Sequence, residues 1–143
     1  MREILFRGKR LDNGKWVQGF LVIWGNDYYI APDINAYTSM GGRGKGRCMM
    51  FGHYYQVLPE TVGQFTGLPD KNGKKIFEWD IVKTKFGRIC KVIFFQSPCY
   101  CGIDLIPLED KHKCPDKFDL YLSDNLEIIG NIHDNPELLE VTE

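Results

Sequence analysis

Short runs of β-branched and aromatic residues recur along this chain at spacings of about ten residues, and a turn sequence ends each run. These turns are Asp12-Asn13-Gly14, Gly25-Asn26-Asp27, Asn72-Gly73 and Phe86-Gly87. Valine, isoleucine and aromatic residues favour strands, whereas glycine, asparagine and aspartate favour tight turns. The pattern predicts a mainly β fold, built as a short-stranded meander or a small barrel.

Length and charge limit the fold and the location further. With 143 residues the chain is predicted to form one module, with an N-terminal β meander over residues 1–58 and a small-barrel-like part over residues 59–143. The formal net charge of -1 gives no overall field to attract nucleic acid or an anionic membrane. Residues 1–4 lead straight into strand-like sequence without a signal-peptide core, and no apolar run approaches the roughly 20 residues that cross a bilayer. We therefore expect a cytoplasmic protein whose five cysteines are reduced and that does not enter a membrane.

Local sequence predicts several boundaries. Pro32 is expected to end the third strand, which leaves residues 33–47 as a loop. The Asn72-Gly73 pair predicts a two-residue hairpin with a type I′ turn, in which both residues have positive φ. Asn135 is expected to cap a C-terminal helix of two turns at most, with Pro136 at its first position.

Three separated blocks of the sequence carry a specific signature. The first comprises residues 1–8, 12–17 and 27–30, the second residues 59–82 with the Asp70-Lys71-Asn72-Gly73 turn, and the third residues 128–139 with Asn135-Pro136-Glu137-Leu138-Leu139. With these blocks the chain resembles the YopX family of phage and prophage proteins over nearly its whole length.

The resemblance implies a small accessory protein of a mobile element that assembles into homo-oligomers. It implies no defined activity and no catalytic, cofactor-binding or metal-binding residues. One position departs from the family pattern, because Trp79 stands where the family usually has glycine between a glutamate and an aspartate. Trp79 would be strained if that glycine took a positive φ, but we expect an extended backbone there, with the indole covering a surface.

Two further motifs have a chemical and a structural interpretation. Cys99, Cys101, His112 and Cys114 offer three thiolates and an imidazole for zinc, but the spacing is not that of a common zinc knuckle, so free thiols are the favoured interpretation. The glycine tract at residues 41–47 carries Arg43, Lys45 and Arg47, which could contact phosphates of nucleic acid. The tract lacks the pattern of a nucleotide-binding loop, and a plain connecting loop is the favoured interpretation.

Aromatic residues, carboxylates and histidines complete the candidates. The adjacent pairs Tyr28-Tyr29 and Tyr54-Tyr55 should each place one ring on either face of a strand, for a core or a protein interface rather than base stacking. Glu78 and Asp80 would share a strand face and could do acid–base work, but a polar edge or turn cap is the commoner role. The histidines are His53, for which a structural role is expected, His112 in a charged loop, and His133 beside the closing signature.

Together these observations predict a non-enzymatic accessory protein of a phage or prophage, without a cofactor. It is expected to form homo-oligomers and to bind a phage or host protein. The alternative is a nucleic-acid-binding accessory protein that uses Arg43, Lys45 and Arg47.

Overall fold

Antiparallel strands dominate the computed structural model, which describes residues 3–37, 48–109, 116–117 and 125–140. The strands in these ranges are β1 (Phe6–Lys9), β2 (Trp16–Trp24), β3 (Asp27–Tyr37), β4 (Cys48–Val57), β5 (Gly63–Pro69), β6 (Lys75–Phe77), β7 (Asp80–Lys83), β8 (Ile89–Ser97), β9 (Tyr100–Pro107), β10 (Asp116–Lys117) and β11 (Glu127–Asn131). Two short 3-10 turns follow β4 and β11, at Pro59–Thr61 and Pro136–Leu139. The predicted mainly β fold is confirmed.

The chain divides into two units, Ile4–Val62 and Met1–Glu3 with Gly63–Glu143. In the first unit, strands β1 to β4 pair in chain order as an antiparallel meander. Its buried apolar residues include Ile30, Ala31 and Val57. Gly8 of β1 lies directly under Val57, where a Cβ atom would come within 3.0 Å of the valine side chain. Glycine at position 8 therefore lets Val57 of β4 pack against the backbone of β1.

The third strand is longer than the sequence predicts. β3 continues through Pro32 to Tyr37, so the expectation that residues 33–37 belong to a loop is wrong. Proline lacks the N–H that a strand ladder requires. The pairing of β3 with β4 shifts register between Ile30 and Asp33, and this irregularity accommodates the proline inside the strand.

The second unit contains a hairpin and a sheet. Strands β5 and β6 form the hairpin, and the sheet has the order β10-β9-β8-β7-β11 with antiparallel pairing. This sheet is open, and no closed barrel forms among the described strands. Its core contains Ile76, Val82, Cys90, Val92, Leu105 and Leu126. Cys90 and Val92 are two residues apart on β8 and therefore face this core together, as the period of two along a strand requires.

The turn between β5 and β6 differs from the predicted type I′ turn. Gly73 has φ 80°, but Asn72 does not have a positive φ, so the type I′ assignment is wrong. The backbone N–H of Gly73 donates to the carbonyl of Asp70 (3.0 Å), and the N–H of Asp70 donates to the carbonyl of Lys74 (2.7 Å). This is the longer hairpin loop, in which an ordinary turn is followed by a left-handed glycine.

Substitution of Gly73 by valine should lower the free energy of unfolding by roughly 1–2 kcal/mol, because a β-branched residue resists the left-handed conformation. A Cβ atom at position 73 would meet no atom within 4 Å, so the Cβ atom itself does not overlap with neighbouring residues. Urea denaturation of wild type, Gly73→Val and Gly73→Asn measures it. Asparagine tolerates positive φ and should recover part of the loss; equal stability of wild type and Gly73→Val would contradict the assignment.

The C-terminal helix is a single 3-10 turn, Pro136–Leu139. Asn135 precedes it, but its side chain makes no capping hydrogen bond to this turn. Instead its Oδ1 accepts from the backbone N–H of Asn131 (3.3 Å), so the predicted capping role is wrong. The side chain is used to close the tight turn after β11.

Candidate protein-binding site

An exposed group of aromatic side chains lies on one face of the first unit. We call the group formed by Val22, Trp24, Tyr29 and Tyr54 the aromatic pocket; it lines a cavity of about 420 Å³. Trp24 is 79% exposed and Tyr54 63% exposed. Soluble proteins commonly cover rings of this size, because burying an aromatic side chain is strongly favourable.

Strand register brings these side chains together. Val22 of β2 lies opposite Tyr29 of β3, and Trp24 lies opposite Asp27. Tyr29 in turn lies opposite Gln56 of β4, and Tyr54 is two residues before Gln56 on the same face. The rings of Tyr29 and Tyr54 meet edge to face, with centroids 5.8 Å apart.

Alternation along the strands holds for one tyrosine pair more clearly than for the other. Tyr54 is exposed and Tyr55 half-buried, as the sequence predicts, whereas Tyr28 and Tyr29 are both half-buried. On the opposite face Tyr28 pairs with Ile23 and Val57, and Val57 is buried. The pocket side of this sheet is therefore the more open one.

A carboxylate shares the strand face of the aromatic pocket, because Asp27 lies opposite Trp24. Asp27 is exposed and accepts a hydrogen bond from Gln56 Nε2 at 3.2 Å. Within residues 3–37 and the other described ranges, Asp27 forms no ion pair. The pocket thus combines three aromatic rings with a carboxylate whose charge has no described counterion.

A nearby aromatic ring in the same unit already carries a cation. The Arg10 guanidinium lies 3.8 Å from the centroid of the Tyr55 ring, and its Nε donates to Asp12 Oδ1 at 2.9 Å. The hydrogen bond to Asp12 raises the pKa of Arg10, and the same bond lowers the pKa of Asp12. Trp16 of β2 likewise has the Arg7 guanidinium 4.7 Å and the Lys9 ammonium 5.6 Å from its ring centroid.

The polar residues of the family signature serve the fold. Glu78 Oε2 accepts from the backbone N–H of Gln64 (3.0 Å), and Asp80 Oδ2 accepts from that of Phe77 (2.8 Å). Asn131 Oδ1 accepts from the N–H groups of His133 and Asp134. Asn131 thus satisfies donors of the turn after β11, as amide residues commonly do, whereas Glu78 and Asp80 satisfy donors of β5 and β6.

Trp79 adopts the conformation that the sequence did not favour. Its φ is 70°, so the expectation of an extended backbone is wrong, and the residue lies in the left-handed region where the family has glycine. Hydrogen bonds hold the peptide on both sides, because Trp79 N–H donates to the Val92 carbonyl (2.9 Å) and its carbonyl accepts from Ile132 N–H (3.0 Å). The turn between β6 and β7 is therefore fixed by β8 and by the chain after β11.

The remaining sequence candidates lie apart or outside the described residues. Arg43, Lys45 and Arg47 are outside them, as are His112 and Cys114, so nucleic-acid contact and the four-ligand zinc set stay predictions. Cys99 and Cys101 are exposed free thiols, Cys90 is a buried one, and His53 is exposed on β4. Across the described ranges no group of histidine, cysteine and carboxylate side chains is suitable for a metal ion. The same ranges contain no helix with the length and apolar character of a membrane span.

Sequence reasoning missed the aromatic pocket as a site. One signal was present, because Ile23 and Trp24 are adjacent apolar residues at the end of β2. Adjacent strand residues face opposite sides, so one of the two is expected to contact solvent; in the structure both do, Ile23 at 55% and Trp24 at 79% exposure. The sequence alone does not say which of the two faces the core covers.

Comparison with known proteins identifies the family. The chain matches the family model described as YopX protein over residues 5–140. It is similar to the crystal structure of protein EF1440 from Enterococcus faecalis, with a TM-score of 0.60 and 21% identity over 97% of this chain and 99% of that chain. Such a structural likeness shows a shared fold and nothing about activity. Curated protein sequences give no significant match. Because the family match spans nearly the whole chain, the protein belongs to the YopX family.

Proposed function

We propose that this protein is a non-enzymatic, self-assembling module that binds other protein chains through the aromatic pocket. The carrying observation is the exposure of Trp24 and Tyr54 around a cavity of about 420 Å³. Tryptophan and tyrosine are enriched at the energetic centres of protein interfaces, since each combines a large apolar surface with a polar group. A cavity of this size lies within the roughly 300–1,000 Å³ range of ligand pockets.

The absence of enzymatic activity is part of the proposal. Its support is that Glu78 and Asp80, the carboxylate pair that the sequence offered for acid–base work, accept backbone N–H groups of two strands, from Gln64 of β5 and from Phe77 of β6. A role in a phage or prophage and a location in the cytoplasm belong to the same proposal and rest on the family signature.

Self-assembly is tested by the molar mass in solution. We expect light scattering at micromolar concentration to give a multiple of 16.5 kDa for the wild type. Trp24→Ser should return the mass to 16.5 kDa, because it removes the most exposed ring of the pocket. A stable interface buries on the order of 1,000 Å² or more, and loss of a central tryptophan commonly weakens such an interface strongly.

Phe86→Ser is the matched control. Phe86 is 82% exposed on the turn between β7 and β8, so the variant removes an aromatic side chain of similar exposed fraction and leaves the pocket residues unchanged. It should keep the mass of the wild type. A wild-type mass of 16.5 kDa at every concentration would contradict self-assembly, and equal masses for wild type and Trp24→Ser would contradict the role of the pocket.

A further inference from the structure

We infer that the aromatic pocket binds an arginine side chain presented by a partner protein. This inference rests on the proposed protein-binding function and adds the chemistry of the group that enters the pocket. It is based on the rings of Trp24, Tyr29 and Tyr54 and on the carboxylate of Asp27 on the same strand face. It is also based on the contacts that arginine side chains of the same unit make with aromatic rings.

The rings provide the first half of the recognition. The faces of tryptophan and tyrosine carry partial negative charge and attract cations held within about 6 Å of the ring centre. Tyr29 and Tyr54 stand edge to face at 5.8 Å, and Trp24 lines the same cavity from the neighbouring strand β2. Rings at different angles around one cavity offer a flat cation more than one surface.

Asp27 provides the second half. Its side chain shares the face of Trp24, since the two residues lie opposite each other in the ladder between β2 and β3. Gln56 Nε2 donates to Oδ1, which fixes the orientation of the carboxylate and leaves Oδ2 without a described donor. A guanidinium can donate to a carboxylate through two parallel N–H groups while its plane stacks on an aromatic ring.

The unit contains the same arrangement with the arginine in place. Arg10 stacks on Tyr55 at 3.8 Å and pairs with Asp12, so ring, guanidinium and carboxylate form one cluster. Trp16, on the same face of β2 as Trp24, is covered by the cations of Arg7 and Lys9. Within the described part of the chain, Trp24, Tyr29 and Tyr54 have a carboxylate nearby and no cation. The pocket thus offers the same kinds of group that surround Arg10, aromatic rings and a carboxylate on one strand face, without a cation among the described residues.

Arginine fits better than other cations. A quaternary ammonium has no N–H group to donate to Asp27, and a lysine ammonium has no plane to stack on the rings. A purely apolar group would leave Asp27 Oδ2 without a donor, which is unfavourable when water is excluded. The side chain expected in the pocket is therefore an arginine on an exposed segment of the partner.

Titration with short capped peptides tests the inference. The indole N–H signal of Trp24 in a ¹H–¹⁵N spectrum, assigned by its absence in Trp24→Phe, reports on the pocket directly. The peptide Gly-Arg-Gly should shift this signal with a dissociation constant in the millimolar range, on the order of what one stacked and paired side chain provides. The peptide Gly-Lys-Gly and tetramethylammonium should bind several-fold more weakly.

Two variants separate the effect of the Asp27 carboxylate on binding from the effect of net charge. Asp27→Asn should weaken Gly-Arg-Gly binding about tenfold, as expected for loss of a charged hydrogen-bond acceptor. Glu60→Gln removes one exposed negative charge from the same unit, on the 3-10 turn after β4, and should leave the affinity unchanged. A dispersed spectrum and an unchanged melting temperature establish that each variant is folded.

Several outcomes would overturn the inference. The first is that the Trp24 signal does not shift at tens of millimolar Gly-Arg-Gly, on the order of the concentration that fills a millimolar site. The second is an unchanged affinity for this peptide in Asp27→Asn. The third is that tetramethylammonium binds as tightly as Gly-Arg-Gly. A single-stranded oligonucleotide that shifts the signal where the arginine peptide does not would also overturn it, in favour of base stacking. A monomeric wild type that still binds Gly-Arg-Gly would contradict self-assembly and leave the arginine site standing.

Discussion

Replacing Asp70 with alanine should lower the free energy of unfolding by roughly 2–4 kcal/mol, because the variant leaves three backbone donors without their acceptor. Asp70 is 5% exposed. Its Oδ1 accepts from the N–H groups of Asn72 and Lys74, each at 2.9 Å, and its Oδ2 accepts from that of Ile128 at 3.3 Å. One carboxylate therefore shapes the hairpin turn and connects it to β11. For a chain of this length the change corresponds to a fall in melting temperature of about 5–15 °C.

Asp70→Asn separates the role of this side chain in the hairpin turn from its hydrogen bond to β11. Its remaining oxygen can still accept from Asn72 and Lys74, but the new amide N–H₂ would face the N–H of Ile128, donor against donor. We expect a loss of roughly 1–2 kcal/mol, about half that of the alanine variant. Denaturant titration measures both variants. Equal stability of Asp70→Ala and wild type would contradict the role given to the carboxylate.

The stability difference should also depend on pH in a defined direction. Burial raises the pKa of Asp70, but the hydrogen bonds from Lys74, Ile128 and Asn72 outweigh it and leave the pKa below its ordinary value of 3.8. Protons therefore bind the unfolded chain more tightly than the folded protein at this site. The stabilisation is complete above the unfolded pKa and is lost as the pH falls through the lower folded pKa. Wild type and Asp70→Asn should accordingly converge in stability on acidification below about pH 4.

Strand β2 was predictable from this sequence because its local residues alone encode it. The run Trp16–Trp24 contains β-branched and aromatic residues between two turn sequences, and the structure has β2 with these bounds. The type of the Asn72-Gly73 turn was not predictable in the same way. It depends on Asp70, whose carboxylate also accepts from Ile128, 58 residues further along the chain. The sequence around a turn carries no information about such a distant donor.

The aromatic pocket illustrates a second limit of sequence-based prediction. Trp24, Tyr29 and Tyr54 come from three strands, and their meeting requires both the register and the choice of which face each strand turns to solvent. A shift of one residue would send every side chain to the other face. Alternation predicts that the two members of a tyrosine pair separate, but tertiary packing decides which of them stays exposed. The positive charge of residues 41–47 can be recognised from the sequence alone, whereas the pocket can be recognised only from the pairing of β2, β3 and β4.

Trp79 shows a third limit of sequence-based prediction, because the sequence favoured an extended backbone at a position where the chain has a positive φ. A bulky residue with φ 70° costs roughly 1–2 kcal/mol and persists only where its surroundings enforce it. The enforcing contacts here are the backbone bonds to Val92 and Ile132 and the bond from Phe77 N–H to Asp80. The one indication of a positive φ was that the family usually has glycine at this position.

The turn between β6 and β7 gives the second large prediction. Asp80→Ala should lower the free energy of unfolding by roughly 2–3 kcal/mol, because it removes the side-chain oxygen that accepts from the N–H of the buried residue Phe77 and removes one constraint on Trp79. In a Trp79→Gly background the same substitution should cost about 1 kcal/mol less, since glycine takes a positive φ without support from its neighbours. Denaturant titration of the four proteins in this cycle measures the coupling.

Alanine at position 79 separates backbone strain from side-chain packing. Trp79→Ala and Trp79→Gly both lose the half-buried indole, but only alanine keeps the Cβ atom that disfavours positive φ. Glycine should therefore be the more stable of the two by about 1 kcal/mol, the reverse of the usual order at positions with negative φ. Asp80→Asn, which keeps an acceptor oxygen, should lose less stability than Asp80→Ala. If alanine at position 79 proved as stable as glycine, the backbone at Trp79 would not be strained, and the coupling between Trp79 and Asp80 would have no physical basis.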